Sequence, residues 1–91
     1  MNTRAQDIDI TLLEKSRQLG LKIKAIRLRK EWTVSDLAFY SRMSEKSVYN
    51  IEAGEGNITL RSIISISVAL EISIAELMQF PLHESSNKAP H

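Results

Sequence analysis

The chain has 91 residues, 43% of them hydrophobic and 25% charged, with a formal net charge of +1 and no cysteine. That length fits one domain with a small core, too small for a deep enclosed active site. Without cysteine there are no disulfides or thiolate metal sites, which suits a cytoplasmic protein, and no apolar run approaches the roughly 18 residues of a membrane span.

Residues 1–11 read as an N-terminal arm. The stretch MNTRAQDIDI lacks a hydrophobic signal core, so nothing supports secretion. Asp7-Ile8-Asp9-Ile10 alternates over too short a span for a strand. Arg4 set against Asp7 and Asp9 suits a disordered segment or a dimer contact better than an arm that tracks DNA. Thr11-Leu12-Leu13-Glu14 has capping-box spacing and opens a predicted helix from about Leu12 to Lys30. Leu12, Leu19, Ile23 and Ile26 form its inner stripe. Gly20 costs such a helix roughly 1 kcal/mol relative to Ala, so it marks either close packing or a break.

Trp32 reads as a structural anchor. Thr33 caps a second helix to about Tyr40, with Asp36 at the capping-box position and Leu37 and Ala38 facing inward. Ser41-Arg42-Met43 is the corner. Ser44 caps a third helix from Glu45 to about Ala53, in which Val48 and Ile51 turn inward together with Met43. Gly54 supplies its C-terminal cap. After the loop Glu55-Gly56-Asn57-Ile58, Thr59 caps a fourth helix to about Glu71, with Leu60, Ile63, Ile64, Ile66 and Leu70 as core. Its Ile- and Ser-rich composition suits a strand, but its length and spacing favour a helix. Ser73-x-x-Glu76 opens a short last helix that Pro81 ends, and residues 81–91 form a flexible tail. The expected fold is an all-α, compact five-helix bundle over residues 12–80, built on Thr33–Glu52 with an N-terminal extension.

Charge is distributed unevenly. Lys15 to Lys46 holds nine basic residues against three acidic ones, a net +6, whereas Ser47 to His91 holds two against five, a net −3. A basic segment with an acidic remainder points to a polyanionic partner, with a solvated helix surface as the plain alternative. Catalysis finds no support. His83 and His91 fall in the tail, and there is no nucleophile–base pair, metal-spaced cluster or glycine-rich phosphate loop. No enzyme activity, cofactor or metal is expected.

The chain resembles the phage-repressor (Cro/CI, XRE-type) helix-turn-helix family over roughly Leu19 to Met78. The resemblance is carried by Leu19-Gly20-x-x-Ile23-Lys24-x-Ile26-Arg27, by Thr33-x-x-Asp36-Leu37-Ala38 and by Ser44-x-x-Ser47-Val48-x-x-Ile51-Glu52-x-Gly54. Asn57-x-Thr59-Leu60, Ala69-Leu70-x-Ile72-Ser73 and Glu76-Leu77 complete it. It implies a lambda-repressor-like fold whose third helix enters the DNA major groove. Glu45, Lys46 and Asn50 are then the base-reading candidates: Glu45 toward cytosine N4, Lys46 toward guanine and Asn50 toward adenine. Arg42, Ser44, Ser47, Tyr49 and Asn57 are candidates for the DNA backbone. Arg27 and Glu52 match a structural ion pair between helices 1 and 3.

Four departures stand out. Val34 replaces a glutamine that grips phosphate in similar proteins. Arg42 and Glu31 occupy positions where glycine is common, and Glu55 puts an unhelpful charge in the loop after the reading helix. The implied function is a cytoplasmic, sequence-specific regulator that binds double-stranded DNA as a homodimer, with Met78 and Phe80, or Ile8, Ile10 and Leu12, at the dimer surface. The alternative is a protein-interaction module or antitoxin-type partner in which DNA reading is secondary, its partner a toxin or another regulator. Phage repressors, restriction–modification control proteins and antitoxins share this domain, and the sequence does not choose among them.

Overall fold

The structure, a computed structural model, describes residues 3–55 and 58–79. Its helices are α1 (Thr3–Arg29), α2 (Val34–Ser41), α3 (Glu45–Glu52), α4 (Leu60–Leu70) and α5 (Ile74–Leu77), with no strand among the described residues. No helix there is long and apolar enough to cross a membrane. Asn57, Phe80, Pro81, His83, His91 and the 81–91 tail lie outside the described residues.

Helices α2 to α5 each open on a hydroxyl. Thr33, Ser44, Thr59 and Ser73 accept the backbone N–H three residues on, satisfying one of the donors a helix start leaves unpaired. At α2 the capping box is reciprocal: Asp36 N–H donates to Thr33 Oγ1 at 3.0 Å, and Thr33 N–H donates to Asp36 Oδ2 at 2.8 Å.

The expectation for α1 is corrected. The helix begins at Thr3, so Thr11 and Glu14 sit inside it without forming a capping box, and the 1–11 boundary falls within a helix. Cooperativity explains this. Nucleation is the costly step, and Arg4–Thr11, free of Gly and Pro, only extends a helix already formed. Side chains from Arg4 to Glu14 are all exposed, so these first turns stand clear of the bundle. Leu12, expected on the inner stripe, is 56% exposed; the buried stripe starts at Ser16 and runs through Leu19, Ile23 and Ile26.

The helices close a ring: α1 packs on α3, α3 on α2, α2 on α4, α4 on α5, and α5 on α1. Inside it lie Leu19, Ile23 and Ile26 of α1, Leu37 and Ala38 of α2, Val48 and Ile51 of α3, Ile66 and Leu70 of α4, and Leu77 of α5. Burying each larger side chain contributes about 1.5–3 kcal/mol. Trp32 packs against this core and stacks on Tyr40, centroids 4.7 Å apart. Lys22 closes the ring chemically, its ammonium donating to the carbonyls of Glu76 and Gln79 at the end of α5.

A second correction concerns α4. Leu60 and Ile64, expected in the core, are 68% and 43% exposed, while Ser67 is buried with its hydroxyl donating to Ile64 O. Apolar residues occur on most sides of this helix, so periodicity alone does not select its inner face. Packing against α2 and α5 does.

Gly20 is a crossing point, not a break. A Cβ there would lie 2.4 Å from Ile51 O and 2.5 Å from Glu52 O, so α1 and α3 meet backbone to backbone.

Candidate nucleic-acid interface

Helix α3 is held by one narrow stripe. Val48 and Ile51 are buried, leaving Glu45, Lys46, Tyr49 and Asn50 exposed on the opposite face. The three base-reading candidates of the sequence thus share one surface, with Tyr49 among them. Ser44 and Ser47 sit at its N-terminal end, where the Ser44 hydroxyl accepts Ser47 N–H and donates to Ser47 Oγ, both at 3.0 Å. Asn57 lies outside the described residues.

The corner before α3 is made by Arg42 in the left-handed region, φ 59° and ψ 44°, with its N–H turned back to the α2 carbonyls. Glu31 adopts the same conformation after α1 at φ 63°, as does Glu71 after α4 at φ 62°. A non-glycine residue costs about 1–2 kcal/mol there. The sequence marks Arg42 and Glu31 as replacing glycine; Glu71 is a third such position, found only in the structure.

The angle of α3 is fixed by an ion pair across the α1–α3 crossing. Arg27 Nε donates to Glu52 Oε2 at 2.7 Å and Nη2 to Oε1 at 3.0 Å, while Nη1 donates to Trp32 O at 2.8 Å. Side-chain exposure is 8% for Arg27 and 7% for Glu52. The hydrogen bond with Glu52 is the main cause that raises the Arg27 pKa above the ordinary arginine value; burial opposes it, and the charges of Glu52 and Tyr49 add to it. Arg27 is thereby committed to holding the fold.

Two concavities flank α3. On one side an open cleft of about 450 Å³ is bounded by Arg42, Met43 and Ser47 and, across from them, by Arg61, Ser62 and Ser65 of α4. On the other a groove of about 180 Å³ is lined by Lys24, Arg27, Val34, Tyr49, Glu52 and Ala53. Arg61 is a cation of the cleft that the sequence does not single out. A signal was present: it stands in the first turn of α4, where the helix dipole disfavours a cation. Lys22, counted in the basic segment, serves α5 instead. Among the described residues no group of three or more His, Cys, Asp or Glu is arranged to hold a metal ion.

The family model described as Helix-turn-helix matches residues 23–77. No curated protein matches the sequence. Among solved structures, the restriction-modification controller protein C.AhdI from Aeromonas hydrophila is 29% identical, with a TM-score of 0.66 over 68% of this chain and 94% of that one. The wild-type restriction-modification controller protein C.Esp1396I is 31% identical, with a TM-score of 0.64 over 70% of this chain and 87% of that one. The clp gene regulator ClgR from C. glutamicum, at 23% identity and a TM-score of 0.66 over 85% of this chain and 96% of that one, shares the fold. The chain, with its capped pair of short helices and a left-handed corner between them, is a member of the XRE-type helix-turn-helix family of DNA-binding transcription regulators.

Proposed function

We propose that the protein is a sequence-specific regulator that acts as a homodimer and seats α3 in the major groove of a palindromic operator. The observation that carries this is the division of α3, which buries only Val48 and Ile51 while Glu45, Lys46, Tyr49 and Asn50 stay free on a helix locked in angle by Arg27 and Glu52. Lys46 donates to guanine O6 or N7, Asn50 pairs bidentately with adenine, and Glu45 accepts from cytosine N4. Arg42 and Arg61 hold the backbone from the α4 side with Ser44 and Ser47, Tyr49 holds it from the opposite flank, and Asn57 is a further backbone contact. One short reading helix spans few base pairs, so two-fold pairing on repeated half-sites supplies the specificity.

Two surfaces are available for that pairing. Met78 beside α5 is 40% exposed, and Phe80 follows it in sequence outside the described residues. Ile8, Ile10 and Leu12 on the projecting turns of α1 are 63%, 56% and 56% exposed. The solved controller proteins of restriction–modification systems are the relatives that make such a setting the first to examine.

Selecting bound duplexes from a random DNA pool tests the proposal. An inverted repeat, with affinity falling steeply as salt rises, is the expected result. A second reading, a module that docks on protein and no longer reads DNA, is favoured by Val34 at the start of α2 and by Glu55 after α3. Failure to enrich any sequence, with salt-insensitive binding, would decide for that reading.

A further inference from the structure

Most cations near the α1–α3 crossing are already committed. Arg27 is taken by Glu52 and Trp32 O, Lys22 by the end of α5, and Lys30 lies over the Trp32 ring at 5.2 Å. Lys24 is different. It is exposed, makes no ion pair or hydrogen bond among the described residues, and lines the groove beside Val34, Tyr49 and Ala53. The one carboxylate in that groove, Glu52, has both oxygens engaged by Arg27. The charge of Lys24 is therefore uncompensated.

Its position relative to α3 gives that charge a use. On a helix of 100° per residue, Tyr49 and Ser47 stand roughly 160° apart, on opposite flanks. Ser47 faces the cleft with Arg42 and Arg61, and Tyr49 faces the groove with Lys24. A helix with side chains is about 10–12 Å across and the major groove about 12 Å wide, so a seated helix meets one sugar–phosphate strand on each flank. Arg42 and Arg61 serve one strand. On the other flank Val34 has no side-chain donor to offer.

We propose that Lys24 is the cationic contact to the sugar–phosphate strand on the α1–α2 flank of the reading helix, opposite Arg42 and Arg61, and that it does the work for which Val34 has no donor. This rests on the DNA-reading function proposed above. The contact positions α3 without reading sequence.

Equilibrium titrations with a duplex recovered from a random pool and with a scrambled duplex of equal length, at several salt concentrations, test it. Lys24→Gln is expected to weaken both duplexes alike, about three- to tenfold near physiological salt, and to flatten the log affinity–log salt slope by about 0.9. Lys24→Arg should retain affinity and slope, and Lys24→Gln with Val34→Gln should regain part of the affinity through a neutral donor without regaining the slope. Unchanged affinity and slope in Lys24→Gln, while Arg42→Ala lowers both, would overturn the assignment and leave the DNA-reading function standing. A parent protein that binds neither duplex would overturn both. Circular dichroism melts of each variant separate lost contact from lost fold.

Discussion

Arg42 shows how one residue carries two opposed demands. Its left-handed backbone is strained by about 1–2 kcal/mol, yet its side chain lines the cleft beside α3. Arg42→Gly should raise stability by about 1 kcal/mol in urea melts. The same variant should bind every DNA sequence more weakly, with a flatter salt slope. If sequence preference alone changed, Arg42 would be a base reader. On the exposed face of α3, Lys46→Ala or Asn50→Ala should cost about 1–3 kcal/mol and relax preference at one base position, as read by competition among single-base variants of the selected site. Arg27 behaves differently. With one partner removed the other is left charged and buried, so Arg27→Ala or Glu52→Ala should destabilise by about 3–5 kcal/mol. The raised Arg27 pKa has a definite sign: its contribution is complete below the ordinary arginine value and is lost only as pH rises through the higher folded value. Its titration therefore adds nothing to the pH dependence of unfolding near neutrality.

At the scale of elements, the α1–α3 crossing sets where α3 sits. Gly20→Ala should improve helix propensity by about 1 kcal/mol but drive a methyl into the carbonyls of Ile51 and Glu52. Backbone atoms cannot rotate aside, so overpacking of about 1–3 kcal/mol should win and α3 should tilt. Denaturant midpoints of the variant, set beside those of Ala25→Gly on the exposed face, check this. A net stabilisation by Gly20→Ala would show that the helices separate without cost. The projecting turns of α1 predict the reverse. Side chains from Arg4 to Thr11 are exposed, so removing residues 1–11 should leave the melting of the monomeric fold within about 0.5 kcal/mol of the parent.

The described residues form a ring of five helices, with Arg42 and Arg61 beside α3. The same truncation tests how two copies meet. If sedimentation shows that the proposed dimer persists without residues 1–11, pairing lies with the α5 surface around Met78; its loss assigns pairing to Ile8, Ile10 and Leu12. The uneven charge of the chain takes on a sharper meaning in three dimensions. Of the nine cations between Lys15 and Lys46, Lys22, Arg27 and Lys30 serve the fold, whereas Arg61, outside that stretch, joins Arg42 beside α3. A count along the sequence overstates the basic surface in one segment and misses it in another.

The caps, the corner and the narrow stripe of α3 are local. Thr33, Ser44, Thr59 and Ser73 satisfy donors within three residues of themselves, and Val48 and Ile51 share a face by helical spacing alone. The sequence by itself therefore determined the all-helical class, the caps of α2 to α5 and the face of α3 left exposed. Other features depend on partners distant in the chain. The start of α1 is not legible locally because helix extension is cooperative and needs no local cap. The inner face of α4 is not set by its own sequence because apolar residues surround it and only α2 and α5 select one side. Gly20 was ambiguous until the carbonyls of α3 arrived beside it. Tertiary packing likewise decided which cations are occupied and which remain free, because charge becomes available or committed only through neighbours that sequence distance does not reveal.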